Sequence, residues 1–328
     1  MKPTSILPRP QSGFGLIELM IAMTLGLVLL GSIGYVFIGS RGAFRVTDNL
    51  SRMQENARYA LDVIGRDVRM AGYVGCGNIA SMQVNTIANP PVPPMTAASA
   101  LIGYDNGAGW TNPTSIVRPI GDVLSIMGAF GGEVNLTGNL APSNSNVQIN
   151  GNPNGYATGD VLVVTNCSTA DVFKTTTVSG GGGSVTLNHS NSSNTGNRVG
   201  TYGADSFVMR MEQFTYFIGN NPAGNRALYR VGLNGQAEEL VEHIENMQMR
   251  YGLDTTGDGA VNSYSNAPTN WAQVISVTIS LLMRSPDNNL STAIQTATFN
   301  NATFTAPDRR LYQVFSATVG VRNRLPTQ

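Results

Sequence analysis

The sequence has few charged residues of either sign. Asp, Glu, Lys and Arg make up 12% of its 328 residues, and 20 basic residues balance 20 acidic ones. The lysines are Lys2 and Lys174, and no basic run occurs. Because phosphate binding needs a dense face of Lys and Arg, this composition argues against a nucleic-acid partner. The 37 glycines and many Asn, Ser and Thr residues are typical of a secreted β-rich protein with polar loops.

Cysteine and histidine are scarce as well, at two residues each. Neither His189 nor His243 has a partner at a metal-ligand spacing, so both are predicted to be solvated or locally hydrogen-bonded. No G-x-S-x-G motif, P-loop or paired-cysteine metal motif occurs, and we predict that the protein is not an enzyme. Outside the cytoplasm Cys76 and Cys167 are predicted to form a disulfide, with two separate buried thiols as the alternative.

One long hydrophobic run stands out against this polar background. Residues 14–38 read FGLIELMIAMTLGLVLLGSIGYVFI and contain one charged side chain, that of Glu18. A run of this length can span a bilayer as a helix, and a carboxylate within it is costly unless it has a partner. Residues 1–13 carry two basic side chains and no acid. This charge bias predicts that the N-terminal end stays cytoplasmic and that everything after Ile38 is exported.

The junction between the polar leader and the hydrophobic run reads G-F-G-L-I-E-L at 13–19. This arrangement resembles the class III signal of type IV prepilins. The resemblance implies that prepilin peptidase cuts between Gly13 and Phe14 and that Phe14 becomes an N-methylated terminus. Glu18 would then pair with the terminal amine of a neighbouring subunit, which removes two unpaired charges from hydrocarbon. An ordinary single-pass anchor is the alternative.

Beyond the hydrophobic run an amphipathic pattern begins. Apolar residues recur every three or four positions and form one stripe, composed of Val46, Leu50, Met53, Ala57, Leu61, Ile64 and Val68. This pattern predicts a single helix from Phe14 to about Met70, which Gly72 ends. Later segments of alternating apolar residues predict strands at 122–127, 207–219, 274–283 and 311–321. Two further strands are predicted around Cys167 within 159–178, and a short helix is predicted at Ala237–Glu245.

These elements predict an α+β fold of the type IV pilin kind, in which the long helix packs on an antiparallel β-sheet head. The predicted parts are a cleaved leader at 1–13, a transmembrane helix at 14–38 and the amphipathic half of the helix at 39–72. A variable β-rich region with loop insertions follows at 73–204, and a β meander at 205–328 ends the chain.

A second resemblance lies in the C-terminal part of the chain. The stretches are ALYRVG at 227–232, ELVEHIENMQMRYGLDTTGDG at 239–259 and RRLYQVFSATVGVRNR at 309–324. They look like the PilW family of minor pilins. The resemblance implies a minor pilin that takes part in a tip or priming complex, which initiates type IV pilus assembly. A minor pseudopilin of a type II secretion system and a tip-exposed adhesive binding module are the alternatives.

The same resemblance implies the partners and the location. The expected partners are prepilin peptidase, other minor pilins, the major pilin, the inner-membrane assembly platform and a large tip adhesin. Before assembly the protein would lie in the inner membrane with a periplasmic head, and after assembly it would lie in the extracellular pilus at its tip.

No cofactor is required for such a role, but one loop approximates the front half of a calcium-binding loop. The residues with the required spacing are Asp254, Thr256, Asp258, Ala260 through its carbonyl, and Asn262. Ser265 stands where a bidentate Glu is expected, which leaves only two carboxylates. The alternative to a Ca²⁺ site is a plain Asp/Gly turn.

Overall fold

The computed structural model describes Gly13 and residues 15–90, 92–138, 140, 146–181 and 183–324. The leader before Gly13 and the residue Phe14 therefore lie outside the described residues. The chain divides into two compact units, residues 1–51 and residues 52–328.

One long helix, α1, begins at Leu16 and ends at Met70. Its C-terminal end is set by Gly72, which has a φ of 74° and donates its N–H to the carbonyl of Met127 over 2.8 Å. A Cβ at this position would lie 2.9 Å from Ile79 Cγ2, so the turn needs a residue without a side chain. The predicted end of the helix near residue 70 is confirmed.

Seventeen strands follow the helix in the described residues. They are β1 Gln83–Thr86, β2 Leu101–Tyr104, β3 Val123–Asn135, β4 Asn146–Ile149, β5 Val161–Thr165, β6 Thr169–Lys174, β7 Thr177–Gly181, β8 Ser184–Asn188, β9 Phe207–Asn220, β10 Arg226–Val231, β11 Ala237–Glu242, β12 Ile244–Leu253, β13 Ser263–Ser265, β14 Val274–Arg284, β15 Thr296–Phe299, β16 Ala302–Thr305 and β17 Tyr312–Gly320. Short 3-10 helices lie at Asp105–Gly107, Trp271–Gln273 and Arg322–Arg324.

Two sheets make up most of the head. The larger has eight strands and is ordered β1-β6-β5-β9-β10-β11, with β3 also paired to β9 and β2 to β3. The smaller is a four-stranded antiparallel meander ordered β13-β12-β14-β17. The β1–β6 pair is parallel, whereas the other strand pairs of these sheets are antiparallel. The predicted architecture of a long helix and an antiparallel β-sheet head is confirmed.

The short helix predicted at Ala237–Glu245 is wrong, because these residues form β11 and the start of β12. His243 lies between the two strands with a φ of 64°. Its N–H donates to the Arg226 carbonyl in the larger sheet over 2.8 Å, and its carbonyl accepts from the Arg284 N–H in the smaller sheet over 3.0 Å. The apolar residues that fit a helical spacing therefore belong to two strands in different sheets.

The main hydrophobic core lies between the second half of α1 and both large sheets. Met53, Ala57, Ile64 and Val68 of the predicted apolar stripe are buried there. They share one cluster with residues of the larger sheet and of the smaller sheet, including Leu124, Ile218, Leu228, Met247, Met249, Val277 and Ile279. Burial of this apolar surface is the principal force that holds this half of the helix on the head.

The predicted strand at 122–127 is longer than expected and continues as β3 to Asn135. It lies along one edge of β9, while β5 and β10 lie along the other edge. Strand β3 changes register between Phe130 and Val134, which accommodates the positive φ of Gly131. Strands from the predicted variable region (73–204) and from the predicted β meander (205–328) thus build the larger sheet together.

Candidate functional site

The N-terminal end of α1 carries the charged residue of the hydrophobic run. Glu18 is the third residue of the helix, and its Oε2 atom accepts a hydrogen bond of 3.0 Å from the N–H of Gly15. The Leu19 N–H in turn donates to the Gly15 carbonyl over 3.2 Å. Such a contact from the third helical residue back to the residue before the helix is half of a capping box. The carboxylate also lies near the positive end of the helix dipole, which stabilises it.

The following turns of α1 expose their apolar side chains. Among the described residues, one helix is long and apolar enough to cross a membrane, and its most hydrophobic window of 18 residues has a mean hydropathy of 2.2 and no buried residue. The hydroxyls of Thr24 and Ser32 donate to backbone carbonyls of their own helix over 2.8–3.1 Å. These two hydroxyls are thereby satisfied without water, which suits a lipid environment.

The predicted cleavage junction is only partly described. Gly13 is exposed and has no regular secondary structure, whereas Phe14 lies outside the described residues. Helical structure begins at Leu16, three residues after the predicted cut. Cleavage and methylation at this junction remain predictions.

The two cysteines are bonded to each other. Cys76 and Cys167 form a disulfide with a Cα–Cα distance of 5.0 Å across a sequence separation of 91 residues. Cys167 lies in the turn between β5 and β6 with a φ of 71°, and Cys76 lies in the segment after α1. The bond therefore joins the C-terminal end of the helix region to the larger sheet.

The loop of the predicted calcium site closes on the carboxylate of Asp254. The backbone N–H groups of Thr256 and Gly257 donate to Asp254 Oδ1 over 3.1 and 2.6 Å, and that of Gly259 donates to Oδ2 over 2.7 Å. The Gly259 N–H, followed by those of Gly257 and Thr256, holds the pKa of this carboxyl below its usual range. Asn262 Oδ1 accepts from the Thr256 hydroxyl over 3.2 Å.

These contacts fit a self-contained turn better than a calcium site. Asp254 accepts three backbone amides of its own loop, and Asp258 accepts the N–H of Ala260 over 2.9 Å. Within the described residues no group of three His, Cys, Asp or Glu side chains is placed to hold a metal. A loop with two carboxylates and no bidentate Glu falls short of the usual ligand set for Ca²⁺. Calcium binding at Asp254, Thr256, Asp258, Ala260 and Asn262 therefore remains an untested prediction.

Three other polar residues lie in partly or fully buried surroundings. His189 was predicted to be solvated or locally hydrogen-bonded, but it is fully buried against the ring of Phe173, and neither ring nitrogen has a hydrogen-bond partner among the described residues. Burial lowers the pKa of His189. His243 is half-buried and lies 3.5 Å from Glu242. Arg324 is buried and donates to the carbonyls of Trp271, Val274 and Ala97, and burial lowers its pKa to about 10.

Two family models match this chain at its two ends. The model described as Type IV Pilus-assembly protein W matches residues 215–323, and the model of the prokaryotic N-terminal methylation motif matches residues 8–34. Together these matches support a PilW-family minor pilin. The methylation motif includes the Gly13–Phe14 junction and Glu18, and the PilW match begins in β9 and ends in the last 3-10 helix.

Comparison with individual proteins adds little to the family matches. No curated protein matches the chain. A solved type IV-like pilin from Thermus thermophilus is similar over 86% of this chain and 98% of its own, with 12% sequence identity and a TM-score of 0.37.

The PilW-type and methylation matches have consequences for processing and location. A prepilin motif implies processing by prepilin peptidase and interaction with other pilus components. Together with the exposed apolar helix, it fits membrane anchoring and incorporation into a pilus. The family is structural rather than catalytic, which is consistent with a protein that is not an enzyme.

Proposed function

We propose that this chain is a minor pilin that prepilin peptidase cuts between Gly13 and Phe14 and that then takes part in a tip or priming complex for type IV pilus assembly. The observation that carries the proposal is the position of Glu18. This residue is the acid of the hydrophobic run, it lies in the first turn of the exposed helix, and it stands five residues from the predicted cut.

Glu18 has a different partner before and after the proposed cleavage. In the uncut chain its carboxylate accepts the Gly15 N–H, which satisfies one of the free amides of the helix start. Cleavage would create a cationic amine at Phe14, close to that same carboxylate. In a staggered stack of helices the amine of one subunit can meet the Glu18 carboxylate of the next, and each charge then has a partner in a medium where an isolated charge is costly.

The PilW match in the head supports a role in pilus assembly. The PilW match covers the strands from β10 to β17, which include the whole four-stranded sheet, and the family is described by its part in pilus assembly. The partners would be prepilin peptidase, other minor pilins, the major pilin, the inner-membrane platform and a large tip adhesin. The head would be periplasmic before assembly and extracellular afterwards.

The type II secretion pseudopilin is the second candidate, because it would share the leader and the helix. The PilW match at 215–323 favours the pilus. A strain that lacks the chain separates the two candidates. Loss of pili with normal protein secretion supports the proposal, whereas loss of secretion with normal pili supports the pseudopilin.

Complementation of the same strain tests the role of Glu18. We expect Glu18→Ala to be processed but to restore almost no surface pili, because the neighbour's amine loses its partner. The matched control is Glu55→Ala, which removes an exposed carboxylate from the same helix outside the hydrophobic run. Normal pili that contain the Glu18→Ala chain would contradict the proposal.

A further inference from the structure

The four-stranded sheet ends in a free edge. Strand β17 is the last strand in the order β13-β12-β14-β17 and pairs with β14 from Tyr312 to Gly320. Its first residue is covered, since the Tyr312 N–H donates to Gln295 Oε1 over 2.8 Å and its ring lies 5.2 Å from the ring of Phe304. From Phe315 onward, no hydrogen bond to the outer edge of β17 occurs in the part of the chain that the structure describes.

This edge lacks the devices that keep sheet edges from pairing. Natural proteins protect exposed edges with charged side chains, proline, bulges or a covering element. Strand β17 reads YQVFSATVG, with no charge and no proline, and its pairing with β14 runs without a bulge. An unprotected edge of this length is a template for another extended chain.

A groove of about 480 Å³ runs between this edge and the second half of α1. Leu61, Phe315, Ala317 and Val319 supply its apolar surface. Val319 comes close to the helix at Gly65, where an added Cβ would lie 3.3 Å from Val319 Cγ2. On the opposite face of β17, the Ser316 and Thr318 hydroxyls form hydrogen bonds with the hydroxyls of Ser280 and Thr278 over 2.9 and 2.8 Å. Phe315, Ala317 and Val319 face the groove, whereas Val314 packs on the opposite face in a cluster with Leu282 and Phe299.

The charges around the groove favour an acidic occupant. Arg58 and Arg69 line it from exposed positions on the helix, and Asp62 is the one acid that lines it. Neither arginine side chain has an ion pair or hydrogen bond within the described residues. An incoming segment with a carboxylate would give one of them a partner, whereas a basic segment would be repelled.

From these observations we infer that β17 and its groove bind an extended segment from the head of a neighbouring pilin subunit, which adds to the sheet as a further strand. The occupant would place apolar side chains on Leu61, Phe315 and Ala317 and a carboxylate near Arg58 or Arg69. Strand addition satisfies the free backbone groups of the edge, and the alternate side chains in the groove select the partner. This inference rests on the proposed function, which makes other pilin subunits the neighbours of this head.

The test uses a photo-crosslinking amino acid at Gln54, an exposed residue of the helix that lines the groove, in the full chain produced in piliated cells. We expect an adduct that mass spectrometry maps to an extended segment in the head of another pilin. Ala317→Lys places a charge in the groove, and Arg58→Glu reverses the charge of an exposed side chain without affecting the fold. Each should lower the adduct yield by about tenfold or more, which corresponds to about 1.4 kcal/mol of binding free energy. Gln313→Lys, at an exposed position near the start of the same strand and outside the groove lining, is the matched control and should leave the yield unchanged.

Several results would overturn the inference. The first is an adduct yield in Ala317→Lys and Arg58→Glu equal to that of the wild type. The second is adducts only with lipid, with a second copy of this chain or with a protein that is not a pilin. The third is no adduct from a chain that is processed and found in sheared pili. The N-terminal processing of the same sample is measured in parallel. A chain that retains its leader contradicts the proposed function, whereas a processed chain without the adduct contradicts the docking of a strand alone.

Discussion

Tyr216 of β9 donates a hydrogen bond of 2.5 Å to Asp67 on the helix, and both side chains are buried. Arg230 lies 3.9 Å from the same carboxylate. Burial, followed by the charge of Asp67, raises the pKa of Tyr216 far above its usual value, so the phenol remains a donor at any physiological pH. The pair connects the second half of α1 to the larger sheet by a polar contact within an otherwise apolar core.

Removal of this donor should destabilise the head. In Tyr216→Phe, the Asp67 carboxylate stays buried but loses its shortest hydrogen bond. We expect the free energy of unfolding to fall by about 1–3 kcal/mol, the usual cost of a buried acceptor without its partner. Chemical denaturation of the full chain in detergent measures the change. Tyr59→Phe removes the hydroxyl of an exposed tyrosine on the same helix and should change stability little.

The disulfide should contribute to stability through the unfolded chain. Because Cys76 and Cys167 close a loop with a sequence separation of 91, the double variant Cys76→Ser, Cys167→Ser should lose about 2–5 kcal/mol. Reductant should lower the denaturation midpoint of the wild type and leave that of the double variant unchanged. Equal midpoints for the wild type with and without reductant would show that the bond contributes nothing.

Asp122 should make the stability depend on pH. Its carboxylate accepts the N–H groups of Asn106 and Met249 over 2.8 and 2.7 Å, but burial raises its pKa to about 6. Between about pH 4 and about pH 6 the folded chain therefore holds a proton that the unfolded chain has released. The free energy of unfolding should fall as the pH rises through this window, by at most about 3 kcal/mol from this group.

The variant Asp122→Asn isolates this contribution, because it cannot titrate. We expect its denaturation midpoint to depend on pH less steeply than that of the wild type, while the exposed-residue control Asp205→Asn keeps the wild-type slope. Parallel slopes in all three proteins would mean that Asp122 has the same proton affinity in the folded and the unfolded chain.

The loop at Asp254 should be held by its own amides rather than by calcium. We expect Asp254→Ala to lower the melting temperature, because the N–H groups of Thr256, Gly257 and Gly259 lose their acceptor. Added Ca²⁺ or chelator should leave the wild-type melting temperature unchanged. A rise with Ca²⁺ in the wild type that is absent from Asp258→Ala, which removes the second carboxylate, would establish a calcium site instead.

The helix and most long strands could be predicted because their apolar residues repeat with a clear period. The stripe from Met53 to Val68 and the strands β9, β14 and β17 are of this kind. The segment 237–245 misled the prediction, since Leu240, Val241 and Ile244 also fit a helical spacing. What decides its structure is a change of sheet at His243, and the partners of that turn are distant in sequence.

The buried polar residues were harder to predict. Asp67 stands beside Val68 at the border of the apolar stripe, and nothing local shows that a tyrosine 149 residues away donates to it. The burial of His189 could have been predicted from the sequence, because Val185, Leu187 and His189 alternate toward the buried side of β8. Arg324 lies in an arginine-rich end of the chain, and arginine side chains are mostly exposed in proteins. Its burial depends on three carbonyls that the fold brings together.

The mass of the N-terminal peptide, from the chain produced together with its prepilin peptidase, is the decisive measurement of processing. We expect a peptide that begins at Phe14 and carries one added methyl group, which would identify the chain as a processed subunit of the pilin class. An intact leader under those conditions, or a cut beyond Ile38, would contradict this expectation. The carboxylate of Glu18 would then serve only its own helix, through the contact with the Gly15 N–H.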